Sequence, residues 1–111
     1  MLLVDDNEDA VGLLGDIVRL RGHEVAIAHH PETALEMIRQ FTPDIAIVDI
    51  GLPGIDGYEL GKRIRIQHPA CRIIALTGYG QASDRQRSAE AGFFGHLVKP
   101  VRIDVLLEIL G

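Results

Sequence analysis

Residues 44–51 read Asp44-Ile45-Ala46-Ile47-Val48-Asp49-Ile50-Gly51, an apolar run of strand length that stops on a carboxylate. Nothing in Ile45 to Val48 alternates with polar residues, so this strand is expected to be buried on both faces. The segment Ile50 to Asp56, with Gly51-Leu52-Pro53-Gly54 at its centre, reads as a loop. Gly57 to Gln67 then reads as a helix. Outward from this unit, the same alternation recurs. Leu2 to Val4, Glu24 to Ala28, Arg72 to Leu76 and Gly95 to Val98 read as further strands. Helices are expected over Glu8 to Arg21, Pro31 to about Gln40, Ser83 to Ala91 and Arg102 to Leu110. In the first, Val11, Leu14, Val18 and Arg21 keep helical spacing, with Leu13, Ile17 and Leu20 beside them. Asn7 suits its N-cap and Gly22 its stop. Gly12 and Gly15 weaken it unless it packs closely on a sheet there. Pro31 suits a first helical turn, with Ala34, Leu35 and Ile38 inward. Gly92 stops the fourth helix. Five strand-helix pairs with strands this apolar imply an α/β fold: an open, doubly wound parallel sheet with right-handed crossovers.

A chain of 111 residues holds one domain, 1–111, with no linker, repeat or low-complexity tract inside it. Its 47% hydrophobic content excludes intrinsic disorder. A net charge of -5 argues against nucleic-acid binding and against docking on anionic lipid. Cys71 stands alone, so neither an internal disulfide nor a Cys/His zinc cluster can form, and it reads as a small, partly buried residue. No apolar run approaches the roughly 20 residues that span a bilayer. Only Met1 to Val4 precede the first acidic residues, so no signal peptide is expected. A reducing, aqueous compartment, the cytoplasm, is expected.

Chemistry is concentrated where the strands end. The first ends in Asp5-Asp6, the third in Asp49, the fourth in Thr77 and the fifth in Lys99. Ligands of open α/β sheets bind outside the carboxyl ends of the strands. Each of these residues is commonplace alone, as a helix cap, a turn residue, a strand-end hydroxyl or half of a surface Lys-Pro pair. Together they deliver three carboxylates, a hydroxyl and an ammonium to one edge. At about 5 Å and an effective dielectric near 20, each carboxylate pair costs roughly 3 kcal/mol. One lysine does not offset three anions, so a proton or a cation must. Oxygen-only ligands select a hard cation such as Mg2+. A metal, a lysine, a hydroxyl and a free carboxylate are the equipment of phosphoryl transfer, with the carboxylate as nucleophile.

These residues resemble the receiver domain of two-component response regulators. The motifs are Val4-Asp5-Asp6-Asn7, Ile47-Val48-Asp49 through Asp56-Gly57, Ala75-Leu76-Thr77-Gly78 and Val98-Lys99-Pro100, and the likeness covers essentially the whole chain. The resemblance implies a flavodoxin-like sheet of strand order 2-1-3-4-5. It makes Asp49 the phosphoacceptor, charged by a phosphohistidine on a histidine kinase or histidine phosphotransfer domain. It makes Asp6, Asp49 and the Gly51 carbonyl direct Mg2+ ligands, with Asp5 acting mainly through a water. Lys99 would pair with a phosphoryl oxygen, and its bond to Pro100 would be cis. Thr77 would bond the phosphoryl group once formed. Such domains form and hydrolyse their own acylphosphate and are not usually classed as enzymes.

The stretch Ala75 to Gln81, with Ala91-Gly92-Phe93 and His96 to Pro100, looks like receivers attached to hybrid sensor histidine kinases. With the chain's flush ends, this suggests a domain excised from a longer bacterial protein, with an output domain elsewhere in the parent. The family expectation for a partner face is the fourth helix, fifth strand and fifth helix, where a homodimer would also pair. One departure stands out. An aromatic switch residue usually lies three positions before the lysine, and here that position is His96, which is smaller and titratable. His29 and His30 sit on a loop, and His23 and His68 read as solvated turn residues. Phe93-Phe94 reads as one core and one exposed ring; Val101, Ile103, Leu106 and Leu107 as packing. Alternatives are a phosphorylation-independent interaction module and an Mg2+-dependent aspartyl-phosphate hydrolase, which would need a cap and a second acid/base carboxylate. A nucleotide- or flavin-binding domain lacks its glycine-rich signature here.

Overall fold

The computed structural model describes residues 1–51, 56–78 and 82–110, the side chains of 82–85 excepted. Strands β1 (Leu2–Val4), β2 (Ala26–Ala28), β3 (Ile45–Asp49), β4 (Arg72–Thr77) and β5 (Gly95–Val98) form one parallel sheet of order β2-β1-β3-β4-β5. Between and after them run α1 (Glu8–Leu20), α2 (Pro31–Met37), α3 (Gly57–Gln67), α4 (Ala82–Glu90) and α5 (Ile103–Leu110). Successive residues of a strand point to opposite faces. Ile45 and Ile47 therefore enter one core with Leu14, Val18 and Leu106, while Ala46 and Val48 enter the other with Ile38, Leu60 and Ile64. That division is why β3 is apolar at every position. The chain leaves β1 toward β2 and returns to β3 on β1's other side. The crevice of such a reversal opens between the ends of β1 and β3, where Asp5, Asp6 and Asp49 lie.

Several boundaries differ from expectation. β3 runs through Asp49 and β4 through Thr77, because Ile50 N–H still bonds the Leu76 carbonyl and Lys99 N–H the Thr77 carbonyl. The Asp49 and Thr77 side chains thus stand on strand backbone. β2 begins at Ala26 rather than Glu24, since its partner β1 supplies three positions. α2 stops at Met37, and its extension to Gln40 is a pair of tighter turns, Arg39 N–H to Glu36 and Gln40 N–H to Met37. Arg21 is the C-cap of α1, not its last buried position, and Leu13 and Leu20 face outward. Gly22 and Gly92 carry the positive φ expected of helix stops. Of the two glycines of α1, only Gly15 is a close approach: a Cβ there would lie 3.0 Å from Ile27 Cδ1, whereas nothing lies within 4 Å at Gly12. In α5 Leu106 is buried, Val105, Ile109 and Leu110 are half-buried against the same core, and Ile103 and Leu107 are half-buried. His68 is not simply solvated, since its Nε2 lies 2.7 Å from the Ile38 carbonyl and ties α3 to α2. Phe93 stacks on Tyr58 at 5.8 Å and Phe94 is exposed, as expected. The loop reading of 52–55 and the motif residues 79–81 lie outside the described residues.

Gly57 opens α3 directly against the end of β3. A Cβ there would stand 2.3 Å from Ile50 Cα and 2.6 Å from the Asp49 carbonyl oxygen, both backbone atoms that have little room to yield. Gly57→Ala should destabilise the domain by about 3 kcal/mol through overpacking, measured as a lower urea midpoint. An unchanged midpoint would mean that the loop after Asp49 adapts freely. Cys71 is buried, and its thiol is pushed up to about 11, first by burial and then by Asp44. It should therefore resist alkylation in the folded domain at pH 8 and react at once in urea, read by mass. Rapid native labelling would contradict that burial.

Candidate functional site

The carboxyl ends of β1, β3 and β5 bring Asp5, Asp6, Asp49 and Lys99 together. Carboxylate oxygens of Asp5, Asp6 and Asp49 all lie within 4.8 Å of one another. Asp5 and Asp49 are buried and Asp6 is exposed. Lys99 Nζ lies 3.1 Å from Asp5 Oδ2 and 3.1 Å from Asp49 Oδ2, bridging two strand ends. The Lys99-Pro100 bond is cis, as expected. Gly51 N–H donates to Asp49 Oδ1 at 2.9 Å, and Asn7 N–H donates to Asp5 Oδ1 at 3.0 Å. Asn7 also caps α1, accepting from Ala10 N–H at 3.1 Å. The β1 corner is thereby locked to the first turn of α1.

The electrostatics follow from burial. Desolvation pushes the Asp5 carboxyl above its ordinary value; bonds from Asn7 and Lys99 oppose this, and Asp49 adds to it. Desolvation also works against the Lys99 ammonium, but its bonds to Asp49 and Asp5 win and hold it above the ordinary lysine value. One ammonium faces three carboxylates, so the cluster carries an excess of negative charge. Its donors are oxygens only, as a hard divalent cation requires.

Thr77 is buried, and its Oγ1 lies 3.1 Å from His96 Nε2. The half-buried His96 thus reaches the hydroxyl across the β4–β5 pair. Of the residues expected at this edge, Asp5, Asp6, Asp49 and Lys99 meet, Thr77 at the end of β4 bonds His96, and Gly51 meets Asp49 through its backbone N–H.

A family model for the response regulator receiver domain matches residues 1–111.

The chain belongs to that family.

This receiver domain is 33% identical over 108 residues to sporulation initiation phosphotransferase F of Bacillus subtilis, covering 97% of this chain and 87% of that protein. It is 34% identical over 117 residues to the virulence sensor protein BvgS of Bordetella pertussis, covering 99% of this chain but 10% of BvgS. A crystal structure of a response regulator from Burkholderia pseudomallei superposes with a TM-score of 0.91 at 29% identity. It covers 99% of this chain and 65% of that one, and it contains a phosphorylated aspartic acid, a calcium ion and citrate. Receivers thus occur in relatives both as nearly whole proteins and as small parts of long ones.

The contacts of two residues of the receiver escape the sequence motifs. His29 Nδ1 lies 3.1 Å from the Asp5 backbone carbonyl. Arg87 of α4 stacks 4.1 Å over the Tyr58 ring of α3 and lies 3.9 Å from Asp56. Neither pair is close in sequence, and no motif spacing announces them.

Proposed function

We propose that Asp49 is the phosphoacceptor of a two-component phosphorelay, with Lys99 and a divalent cation, Mg2+, as its electrostatic partners. The observation that carries this is the Lys99 ammonium 3.1 Å from both Asp49 and Asp5 inside a three-carboxylate cluster. The phosphorylated aspartic acid and calcium ion of the Burkholderia relative support the same assignment. Asp6 and Asp49, with the Gly51 carbonyl, would hold the metal, and Asp5 would act through a water. When bound, the metal neutralises phosphoryl oxygens and so lowers the barrier to attack by an anion.

In the transfer, an Asp49 carboxylate oxygen attacks phosphorus on the donor phosphohistidine. The new P–O bond forms as the P–N bond breaks; its electron pair returns to the donor imidazole, which takes up a proton. The Gly51 N–H, bonded to Asp49 Oδ1, leaves Oδ2 as the oxygen shared with Lys99. Lys99 then exchanges a carboxylate for a phosphoryl oxygen. The modification adds about one to two negative charges beside Thr77. Thr77 Oγ1 turns to the phosphoryl group, and His96, its partner at 3.1 Å, moves with it. The α4–β5–α5 face changes affinity for its partner because phosphate interacts differently with two pre-existing states.

The donor is a histidine kinase or a histidine phosphotransfer domain, presented from the side of α1. There an apolar groove lined by Leu13, Leu14, Ile17 and Ile103 adjoins Asp5 and Lys99. Among the described residues no helix is long and apolar enough to cross a membrane, in keeping with a cytoplasmic module. The domain processes only its own phosphoryl group and is not an enzyme acting on a separate substrate. Residues 1–111 are read as a receiver module of a longer signalling protein; the likeness to 10% of BvgS supports that reading. The test is intact mass after incubation with Mg2+ and acetyl phosphate, or with a phosphohistidine donor. One hydroxylamine-labile phosphoryl group per chain is expected. No gain from either donor, with no Mg2+ binding, would instead favour a phosphorylation-independent interaction module.

A further inference from the structure

Asp6 is placed unlike the other two carboxylates. Asp5 and Asp49 are buried and held by Lys99 and by backbone N–H groups. Asp6 is exposed, and among the described residues its carboxylate makes no hydrogen bond or ion pair. Whatever aims it must therefore act through its backbone. The peptide after Asp6 is held by Asn7 N–H, which donates to Asp5 Oδ1 at 3.0 Å. The peptide before it is held at the Asp5 carbonyl, 3.1 Å from His29 Nδ1 on the β2–α2 loop. A carbonyl oxygen only accepts, so His29 Nδ1 carries the hydrogen and donates it. Asp6 is clamped between these two peptides.

We propose that His29 is a positioning residue for metal binding: its Nδ1–H fixes the Asp5–Asp6 peptide and so aims the Asp6 carboxylate at the cation. This deepens the receiver reading above and rests on it. The imidazole does not touch the cation. It acts as outer-sphere partners of metal ligands generally do, by orienting a ligand that has no other support. The contact crosses from one strand end to the next, so it also ties the edge strand β2 to the geometry of the site.

Two substitutions of similar polarity separate the bond from the bulk of the ring. In His29→Asn the amide nitrogen falls near the place of Nδ1 and keeps the donor. In His29→Gln it falls near the place of Nε2, one atom further out, and the donor is misplaced. Mg2+ affinity of the full chain is measured by titration calorimetry for both variants and the wild type. Urea unfolding in EDTA is followed in parallel. His29→Gln should weaken Mg2+ binding about tenfold, as loss of an outer-sphere partner does. His29→Asn should stay within about twofold of wild type, with the two variants unfolding at the same urea concentration. A merely structural histidine would shift both midpoints and leave the two affinities equal. His29→Gln binding as tightly as wild type, or His29→Asn binding as weakly as His29→Gln, overturns the proposal. Failure of the receiver reading looks different: wild type and variants alike would show no Mg2+ binding, and the role of His29 would fall with it.

Discussion

Asp49→Asn is expected to abolish uptake of a phosphoryl group while leaving the domain folded. The amide is isosteric with the carboxylate but is not a nucleophile, so the loss should exceed any change in positioning. The fold should survive for an electrostatic reason. Asp49 shares Lys99 with Asp5, and its carboxylate lies within 4.8 Å of those of Asp5 and Asp6. In the absence of metal, neutralising it removes one attraction and two repulsions. The net change in metal-free stability should stay within about 1 kcal/mol, because the attraction and the repulsions oppose each other. Intact mass after acetyl phosphate treatment and a urea melt in EDTA read the two halves. If the Asp49→Asn variant gained a hydroxylamine-labile phosphoryl group as fast as wild type, Asp49 would be removed from the mechanism.

Lys99→Met should separate phosphoryl transfer from metal binding, moving them in opposite directions. Methionine keeps an unbranched stem of similar length but deletes the ammonium that lies 3.1 Å from two carboxylates. Loss of one preorganised donor at a developing charge costs about a hundredfold in rate. The same loss leaves three carboxylates with no cation between them, so Mg2+ should bind no more weakly and by charge alone more tightly. Rates from acetyl phosphate at saturating Mg2+ and calorimetric affinities measure both. A parallel fall in rate and in affinity would mean that Lys99 supports the shape of the site rather than the phosphoryl group.

The pH dependence of metal-free stability provides a second signature of Lys99. Its folded value lies above the unfolded 10.5, so its contribution is complete below pH 10.5 and is lost as pH rises through the folded value. Wild type should therefore lose stability in that alkaline window by more than Lys99→Met does. Asp5 is raised from 3.8 by burial first, so its contribution is complete below pH 3.8 and lost as pH rises through its folded value. Both groups thus make the metal-free domain less stable toward higher pH, each in its own window.

Much of this is legible in the sequence. The apolar stretch Ile45 to Val48 had to be a strand covered on both faces, and its split between two cores bears that out. The strand-end residues Asp5, Asp6, Asp49, Thr77 and Lys99 were legible because a parallel sheet puts every strand's carboxyl end on one edge. Stop glycines and the Pro31 turn were local decisions of backbone sterics, and Gly22, Gly92 and Pro31 behave accordingly. Local rules failed where distance along the chain is long. Gly12 and Gly15 are equivalent in the sequence of α1, yet only Gly15 meets Ile27. His68 looked like a turn residue until α2 brought the Ile38 carbonyl to its ring.

The inventory and the edge are written in the chain: which elements form, and which charged groups share one end of the sheet. Periodicity and strand polarity are properties of neighbours in the chain, so they can be read there. How those groups divide their roles is settled by packing in three dimensions. Lys99 bridges the buried Asp5 and Asp49, Asp6 is left exposed with its flanking peptides clamped, and His96 rather than solvent meets Thr77. Each of these contacts joins elements far apart in sequence, and its sign and strength depend on burial that arises only when both layers of helices close over the sheet.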